Sequence, residues 1–363
     1  MIRIERRAPL PAGRAGAVRL LGVLAAFLLG AAFLSLTGHN ALSAYADLLR
    51  GAAGSSYAIQ QTIIKAVPLA LTSLGVALAF HAGLWNIGAE GQLVMGAFLA
   101  SWAALTLRWP AVALLPFMAL LGLAGGGLWA LLPAIPRALF GTNEIITTLL
   151  LNYIALLWVD YLVFGPWADP SAFSFPYSRA FPNAARLPLL PGSQIQAGVL
   201  FVPLVAAALA LALRHTTWGY EIRVIGHSPR TAVYAGMPVP MQILIVLGLS
   251  GAVAGLAGMG EVSGVIGRIQ QGISPGYGYS AIIIAWLARL NPWGTIAVAL
   301  GFAALINGGF ALQTGGVPSA IASMLQALVL FSVLVGDFFV THRLVAPRAR
   351  AAAMAAHEAH AKP

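Results

Sequence analysis

The sequence predicts an all-α polytopic membrane protein, with about ten transmembrane helices in two pseudo-repeated halves and with broken or short helices. Three observations predict it. The chain has 363 residues, 60% hydrophobic and only 8% charged, where soluble domains carry about 25% charged residues. Its apolar residues fall in runs of about 20, the length a helix needs to cross a bilayer, and not in the short alternating segments of a barrel. Each half also holds a glycine-broken polar stretch followed by a short span, the pattern of paired discontinuous helices.

Taken in order, residues 1–19 read as a basic cytoplasmic N-terminus (Arg3, Arg6, Arg7, Arg14, Arg19). A transmembrane domain over residues 20–340 and a basic cytoplasmic tail over 341–363 follow. The first span is expected at Leu20–Leu36. A basic start before an apolar run also fits a secretory signal, but the run is long for one and more membrane spans follow. His39 to Ser56 are polar and expected as an outer loop, before a second span at Tyr57–Phe80. The stretch His81–Phe98 has glycines at 83, 88, 91 and 96 and places Asn86, Glu90 and Gln92 at membrane depth. Backbone that leaves the helix inside a bilayer survives only where protein or a water-filled cavity satisfies it. The third span, Gln92–Leu107, is accordingly short.

A fourth span is expected at Ala111–Leu132, with Gly125, Gly126 and Gly127 allowing close helix contact, then an inner loop around Arg137. The fifth covers Gly141–Phe164, with Asn143 or Thr142 as cap and Glu144 near the positive end of the helix dipole. Residues 165–196 form a proline-rich outer loop, and the sixth span is Ala197–Leu213. Beyond the loop at 214–240, a seventh span at Met241–Val265 has small residues at 251, 255, 258 and 260, suited to tight interhelical packing. After a polar, bent return around Arg268–Gly278 come spans at Tyr279–Ala288, Trp293–Leu312 and Ser319–Phe339. Of the twenty lysines and arginines, all but Arg50, Lys65, Arg108, Arg179, Arg186 and Arg268 fall in segments this map puts inside, in agreement with the positive-inside rule. The net charge of +10 therefore reads as topology, not as affinity for nucleic acid.

The loop Arg214–Pro240 is the longest charged interruption, and it contains a punctuated helix, Pro229 to Ala235. Ser228 is a good N-cap, Pro229 suits the first helical position, Gly236 can take the left-handed C′ conformation and Pro238 prevents continuation. A capped helix on a cytoplasmic loop reads as a docking surface for a soluble partner, with a plain connector as the alternative.

Catalytic signatures are missing. There is no G-x-x-x-x-G-K-[ST] and only two lysines, Lys65 and Lys362, so no P-loop can hold ATP. The seven histidines are scattered with no H-E-x-x-H, and His357–His360 reads as solvated tail. With no cysteine, disulfides and thiolate metal sites are excluded. No metal site, no cofactor and no enzymatic activity are expected.

Two pairs of motifs carry a resemblance. T-x-W-G-Y-E-I-R-V-I-G-H-S-P-x-T-A-x-Y-A-G-M (Thr216–Met237) and L-S-G-A-V-A-G-L-A-G (Leu249–Gly258) resemble the coupling loop and following helix of the ribose/branched-chain-amino-acid type of ABC importer permease. G-L-W-N-I-G-A-E-G-Q (Gly83–Gln92) and G-T-N-E-I-I-T-T-L-L-L-N-Y-I-A (Gly141–Ala155) resemble the nucleoside (guanosine/purine nucleoside) permeases of that superfamily. The likeness covers about residues 57–337, with a departure at Tyr279–Leu290.

The resemblance implies a passive pore subunit in the bacterial inner membrane, both termini cytoplasmic. It would pair with a second permease, as a heterodimer, above a cytoplasmic ABC ATPase, and receive a nucleoside from an external substrate-binding lipoprotein. Coupling to the ATPase then falls to Gly226, Ser228, Pro229, Arg230, Thr231, Ala232, Ala235 and Gly236. Candidates for the substrate pathway are Asn86, Glu90, Gln92, Asn143, Asn152 and Glu261. Each has a structural reading beside the functional one: Glu90 pairing with a helix end or with His81, Asn86 and Gln92 satisfying backbone, Asn143 capping, Asn152 bonding between helices. Glu261 would face an external vestibule or water. A sugar permease is the alternative within the class. An ion-coupled secondary transporter, with Glu90, Glu144 and Glu261 as ion ligands, is the rival outside it, and a membrane scaffold comes third.

Overall fold

The computed structural model of the chain describes residues 3–6, 11–173 and 175–345. The expected tail from 346 onward, with Arg348, Arg350, Lys362 and His357–His360, lies outside the described residues, as does Arg7. The fold is helical: α1 (Ala12–Leu36), α2 (Ala41–Ala53), α3 (Ser56–His81), α4 (Ala89–Thr106), α5 (Ala111–Phe140), α6 (Glu144–Phe164), α7 (Phe201–His215), α8 (Thr217–His227), α9 (Pro229–Tyr234), α10 (Val239–Gly260), α11 (Tyr277–Leu287), α12 (Pro292–Thr314) and α13 (Ser319–Thr341). A π turn, Glu261–Ile266, prolongs α10. Among the described residues six helices are long and apolar enough to cross a membrane: α3, α5, α6, α7 with its preceding 3₁₀ turn, α10 with its π turn, and α12. Shorter apolar stretches lie at Leu21–Leu36, Tyr277–Leu287 and Ser319–Val329, and α4 supplies the remaining expected span.

Four elements differ from expectation. The segment expected as the first outer loop contains α2, whose apolar residues alternate with polar ones such as Asp47 and Arg50 on an amphipathic turn spacing. Helix α5 runs on to Phe140, with Pro116, Pro133 and Pro136 inside it, and closes on Gly141 at φ 67°. The expected inner loop there shrinks accordingly. The charged 214–240 loop holds two helices, because α8 precedes α9. The capped helix itself ends at Tyr234, one residue short, with Ala235 as its C-cap.

The chain forms two compact units. In the first (Met1–Gly51 with Gly308–Pro363), α1 packs along α13. The Tyr45 hydroxyl donates to the Phe27 carbonyl at 2.5 Å, tying α2 to α1. Strands Arg3–Arg6 and His342–Val345 pair antiparallel, with Arg3 opposite Val345 and Arg6 opposite His342.

In the second unit (Ala52–Asn307) α10 is central and packs on α5, α4 and α3. These helices touch backbone to backbone. A Cβ on Gly126 would overlap the Gly251 carbonyl, one on Gly258 the Leu93 carbonyl, and one on Gly96 would collide with Gly255. Helices that lack a hydrophobic drive to associate in lipid rely on this close packing, which only small residues permit. Gly260, also expected in the stripe, has nothing within 4 Å of a Cβ built on it. The loop 165–196 is irregular but fastened to the π turn and the return after it. The amides of Ser178, Phe181 and Leu187 donate to the carbonyls of Ile269, Gly267 and Ser263 at 2.9, 2.8 and 3.0 Å. On that loop the N–H and Oγ of Ser171 donate to Asp169, at 3.0 and 2.7 Å, and hold its carboxyl below the usual range.

Candidate functional site

Between α3 and α4 the backbone leaves the helix over residues 82–88, inside the second unit. Side-chain amides replace the missing ladder. Asn86 and Gln92 bond reciprocally, Nδ2 to Oε1 at 2.8 Å and Nε2 to Oδ1 at 2.9 Å. Asn86 Nδ2 also reaches Ser250 Oγ on α10 at 2.8 Å. Asn152 on α6 accepts from the Gly91 amide at 2.8 Å and donates to the Ile87 carbonyl at 2.9 Å. It satisfies backbone at the end of the break and in the first turn of α4. All three amides are buried. Asn152 Nδ2 also donates to the Tyr279 hydroxyl at 3.3 Å, so with two amide hydrogens and the oxygen engaged Asn152 has little left to offer a solute.

The second break, between α10 and α11, meets the first. The carboxylate of Glu90, in the first turn of α4, accepts from the Gly278 amide at 2.7 Å. It therefore caps the N-terminus of α11, where helix amides have no partner of their own and the dipole favours negative charge. Of the readings open for Glu90, pairing with a helix end is the one the geometry supports; His81 bonds instead to the Ala77 carbonyl at 2.8 Å. A Cβ on Gly278 would overlap the Glu90 amide. Glu90→Ala is expected to lower the thermal midpoint of the detergent-solubilised protein, by the about 1–3 kcal/mol that a buried donor without an acceptor costs. Glu90→Gln, still an acceptor, should lose less.

The other two carboxylates of interest are also engaged. Glu261, expected to face a vestibule, is buried. It lies 4.0 Å from Lys65 Nζ, which donates to the Tyr277 hydroxyl at 2.9 Å, and that hydroxyl stands 3.5 Å from Glu261. Glu261 lies three, four and seven residues beyond the buried Gly258, Ala257 and Ala254, so it continues the inward face of α10. Glu144 pairs with Arg137 at 3.2 Å and accepts from the Trp85 amide at 3.3 Å. Asn143 is the N-cap of α6, its Oδ1 accepting from the Ile145 amide at 2.9 Å, and is exposed. It stands apart from the buried amides.

The charged loop is built as its punctuation demands. Ser228 Oγ accepts from the Thr231 amide at 3.3 Å, and Gly236 has φ 76°. One face of α9 packs inward: Ala232 is fully buried, which removes it from any docking surface. The outward face carries Pro229, Arg230, Thr231, Ala235 and Gly236 together with Val233 (61% exposed) and Tyr234 (93%). The last two are large, exposed side chains that capping logic did not single out. Helix α8 anchors this loop. Its N-cap Thr216 accepts from the Gly219 amide at 3.1 Å, and Gln242 on α10 links Trp218 at 2.8 Å to Glu221 at 2.6 Å. At its other end Gly226 abuts the end of α3, where a Cβ would overlap the His81 carbonyl. The loop thus touches the chain directly before the break at 82–88.

A family profile described as "Branched-chain amino acid transport system / permease component" matches residues 58–334. The glucose ABC transporter permease protein TsgB13 of Haloferax volcanii is 36% identical, over 94% of this chain and 93% of its own. The guanosine ABC transporter permease protein NupP of Bacillus subtilis is 31% identical, over 87% and 92%. The nucleoside ABC transporter permease protein NupB of Lactococcus lactis subsp. cremoris is 29% identical, over 92% and 94%.

Proposed function

The chain belongs to the family of branched-chain amino acid transport permease components, a non-catalytic transmembrane subunit of an ABC importer, and we propose that the solute it passes is a nucleoside. The observation that carries the proposal is the neutrality of what remains for a solute. Glu90, Glu144 and Glu261 are each taken up by a helix N-terminus, an arginine or a lysine within the chain. An anionic solute would call for arginines or free helix N-termini along its way, and a coupling cation would call for carboxylates with open coordination. A neutral, hydroxylated, ring-bearing solute asks for neither. The motifs at Gly83–Gln92 and Gly141–Ala155 and the nucleoside and guanosine permeases at 29% and 31% identity favour a nucleoside. The relative at 36% identity, a glucose permease, favours a second reading, a hexose, which is equally neutral.

In this reading the exposed face of α9 docks on a cytoplasmic ATPase. Motion of α9 reaches the break at 82–88 through α8 and the close contact of Gly226 with the end of α3. A second permease completes the pore as a heterodimer, an external lipoprotein delivers the solute, and the chain lies in a bacterial cytoplasmic membrane with both termini inside. The solute assignment is tested by uptake of labelled guanosine, adenosine and glucose in cells holding the complete transporter, with and without this gene. Gene-dependent uptake of a nucleoside and none of glucose is expected. Gene-dependent glucose uptake alone would replace the nucleoside with a hexose and leave the importer intact.

A further inference from the structure

The buried amides of the break are saturated by protein, so the groups that meet the solute must be sought elsewhere. Helix α6 crosses the hydrophobic layer, and Tyr153 lies about 14 Å along it from Glu144 at 1.5 Å per residue, near the middle of a hydrocarbon core of about 30 Å. Tyr153 is nonetheless 57% exposed. Tyr279 is 38% exposed on α11 and sits at the same depth, because Asn152, the neighbour of Tyr153, donates to its hydroxyl at 3.3 Å. Tyrosine suits the headgroup region, where its hydroxyl finds water. Two phenols open at mid-depth would leave their hydroxyl hydrogens facing hydrocarbon that offers no acceptor.

The same face continues in both directions. Seven residues along α6 from Tyr153, near the end of the helix, Asp160 accepts from the exposed Gln271 at 3.1 Å and is thereby engaged within the chain. Seven residues along α11 from Tyr279, Trp286 is 45% exposed and packs with Trp85, ring centroids 6.0 Å apart. The stripe is too polar for lipid and too aromatic for a mere water channel.

We propose that Tyr153 and Tyr279 are the mid-membrane solute contacts of the transport path, giving a nucleoside a π-face for its base and a hydroxyl donor for its ring nitrogens, carbonyls or sugar oxygens. This rests on the nucleoside reading for the class of solute. The chemistry is specific. Because the Tyr279 oxygen already accepts from Asn152, its own hydrogen is directed away and free to donate. The contact is one neutral hydrogen bond and one ring face, firm enough to select and weak enough to release.

The chain has no cysteine, so Tyr153→Cys and Tyr279→Cys each introduce a unique thiol. The complete transporter in proteoliposomes, with its ATPase, second permease and binding protein, is treated with a charged, water-soluble methanethiosulfonate, alone or with guanosine or glucose. Both thiols are expected to react, and guanosine to slow the reaction. In parallel, Tyr279→Phe should lower guanosine uptake about fivefold, the worth of one neutral hydrogen bond. Tyr279→Ala should lower it further. Thiols inert to the aqueous reagent, in transporter that still assembles, would mean that lipid or the second permease covers this face, and would overturn the proposal. So would reactive thiols that neither solute protects, or uptake by Tyr279→Ala at the wild-type rate. Protection by glucose and not by guanosine would keep the two tyrosines as solute contacts while ending the nucleoside reading.

Discussion

Gly255→Val is expected to abolish accumulation of folded protein. Gly255 lies in α10 where three helices meet without intervening side chains. A Cβ there would overlap the Gly122 carbonyl and come within 2.8 and 2.9 Å of the Gly126 amide and Cα on α5. On the α4 side, Gly96 lies against the Gly255 backbone closely enough that its own Cβ would collide with it. Overpacking commonly costs about 1–3 kcal/mol when a side chain can give way; here the neighbours are backbone, so helices must separate and the loss runs to the top of that range or beyond. Stabilities of about 5–15 kcal/mol leave limited room for such a change, and the broken segments that depend on these helices would lose their partners as well. Gly301→Ala on α12, where a Cβ meets nothing within 4 Å, should be neutral or slightly stabilising by helix propensity. Fluorescence-detected size-exclusion chromatography of both variants checks this. A monodisperse Gly255→Val peak of wild-type height would mean that α4, α5 and α10 do not pack as described.

Substituting Val233 and Tyr234 together by glutamate is expected to cut ATP-driven uptake at least tenfold and to lose the ATPase on purification, at unchanged protein level. Both side chains point away from the body of the loop, so the fold has no stake in them. Truncating or charging a buried aromatic anchor of an interface commonly costs about 2 kcal/mol or more, and tenfold is 1.4 kcal/mol. Ala232→Glu should behave differently. Its site is fully buried, so the added carboxylate would be buried unpaired and the protein level itself should fall. If the double variant retains both uptake and the ATPase while Ala232→Glu alone is defective, α9 is a connector and the docking surface lies elsewhere.

Much of this was legible in the sequence where the physics is local. The Ser228–Pro229 start and Gly236 stop of α9 are capping chemistry within a few residues, and the structure places the helix within one residue of expectation. The apolar runs set the long spans for the same reason. Short amphipathic helices were not legible: α2 and α8 carry charges at a density that also describes loops. The site was legible as a set of residue types and not as an arrangement. Asn86, Gln92 and Asn152 stood out because amides at membrane depth need partners, but that they bond to the break itself depends on α6 and α10 arriving beside it. Glu90 could be read as a helix-end partner, yet the end it caps belongs to a helix almost two hundred residues on. Tyr153 and Tyr279 gave no local sign at all, since an aromatic in an apolar run looks like core until its exposure and depth are known.

The most direct test of the central claim is uptake of labelled guanosine into proteoliposomes, made with this chain alone or with the complete transporter, with and without ATP on the ATPase side, and with a proton or sodium gradient imposed in place of ATP. A passive permease subunit predicts uptake only by the complete transporter and only with ATP. Gradient-driven uptake by this chain alone would contradict it.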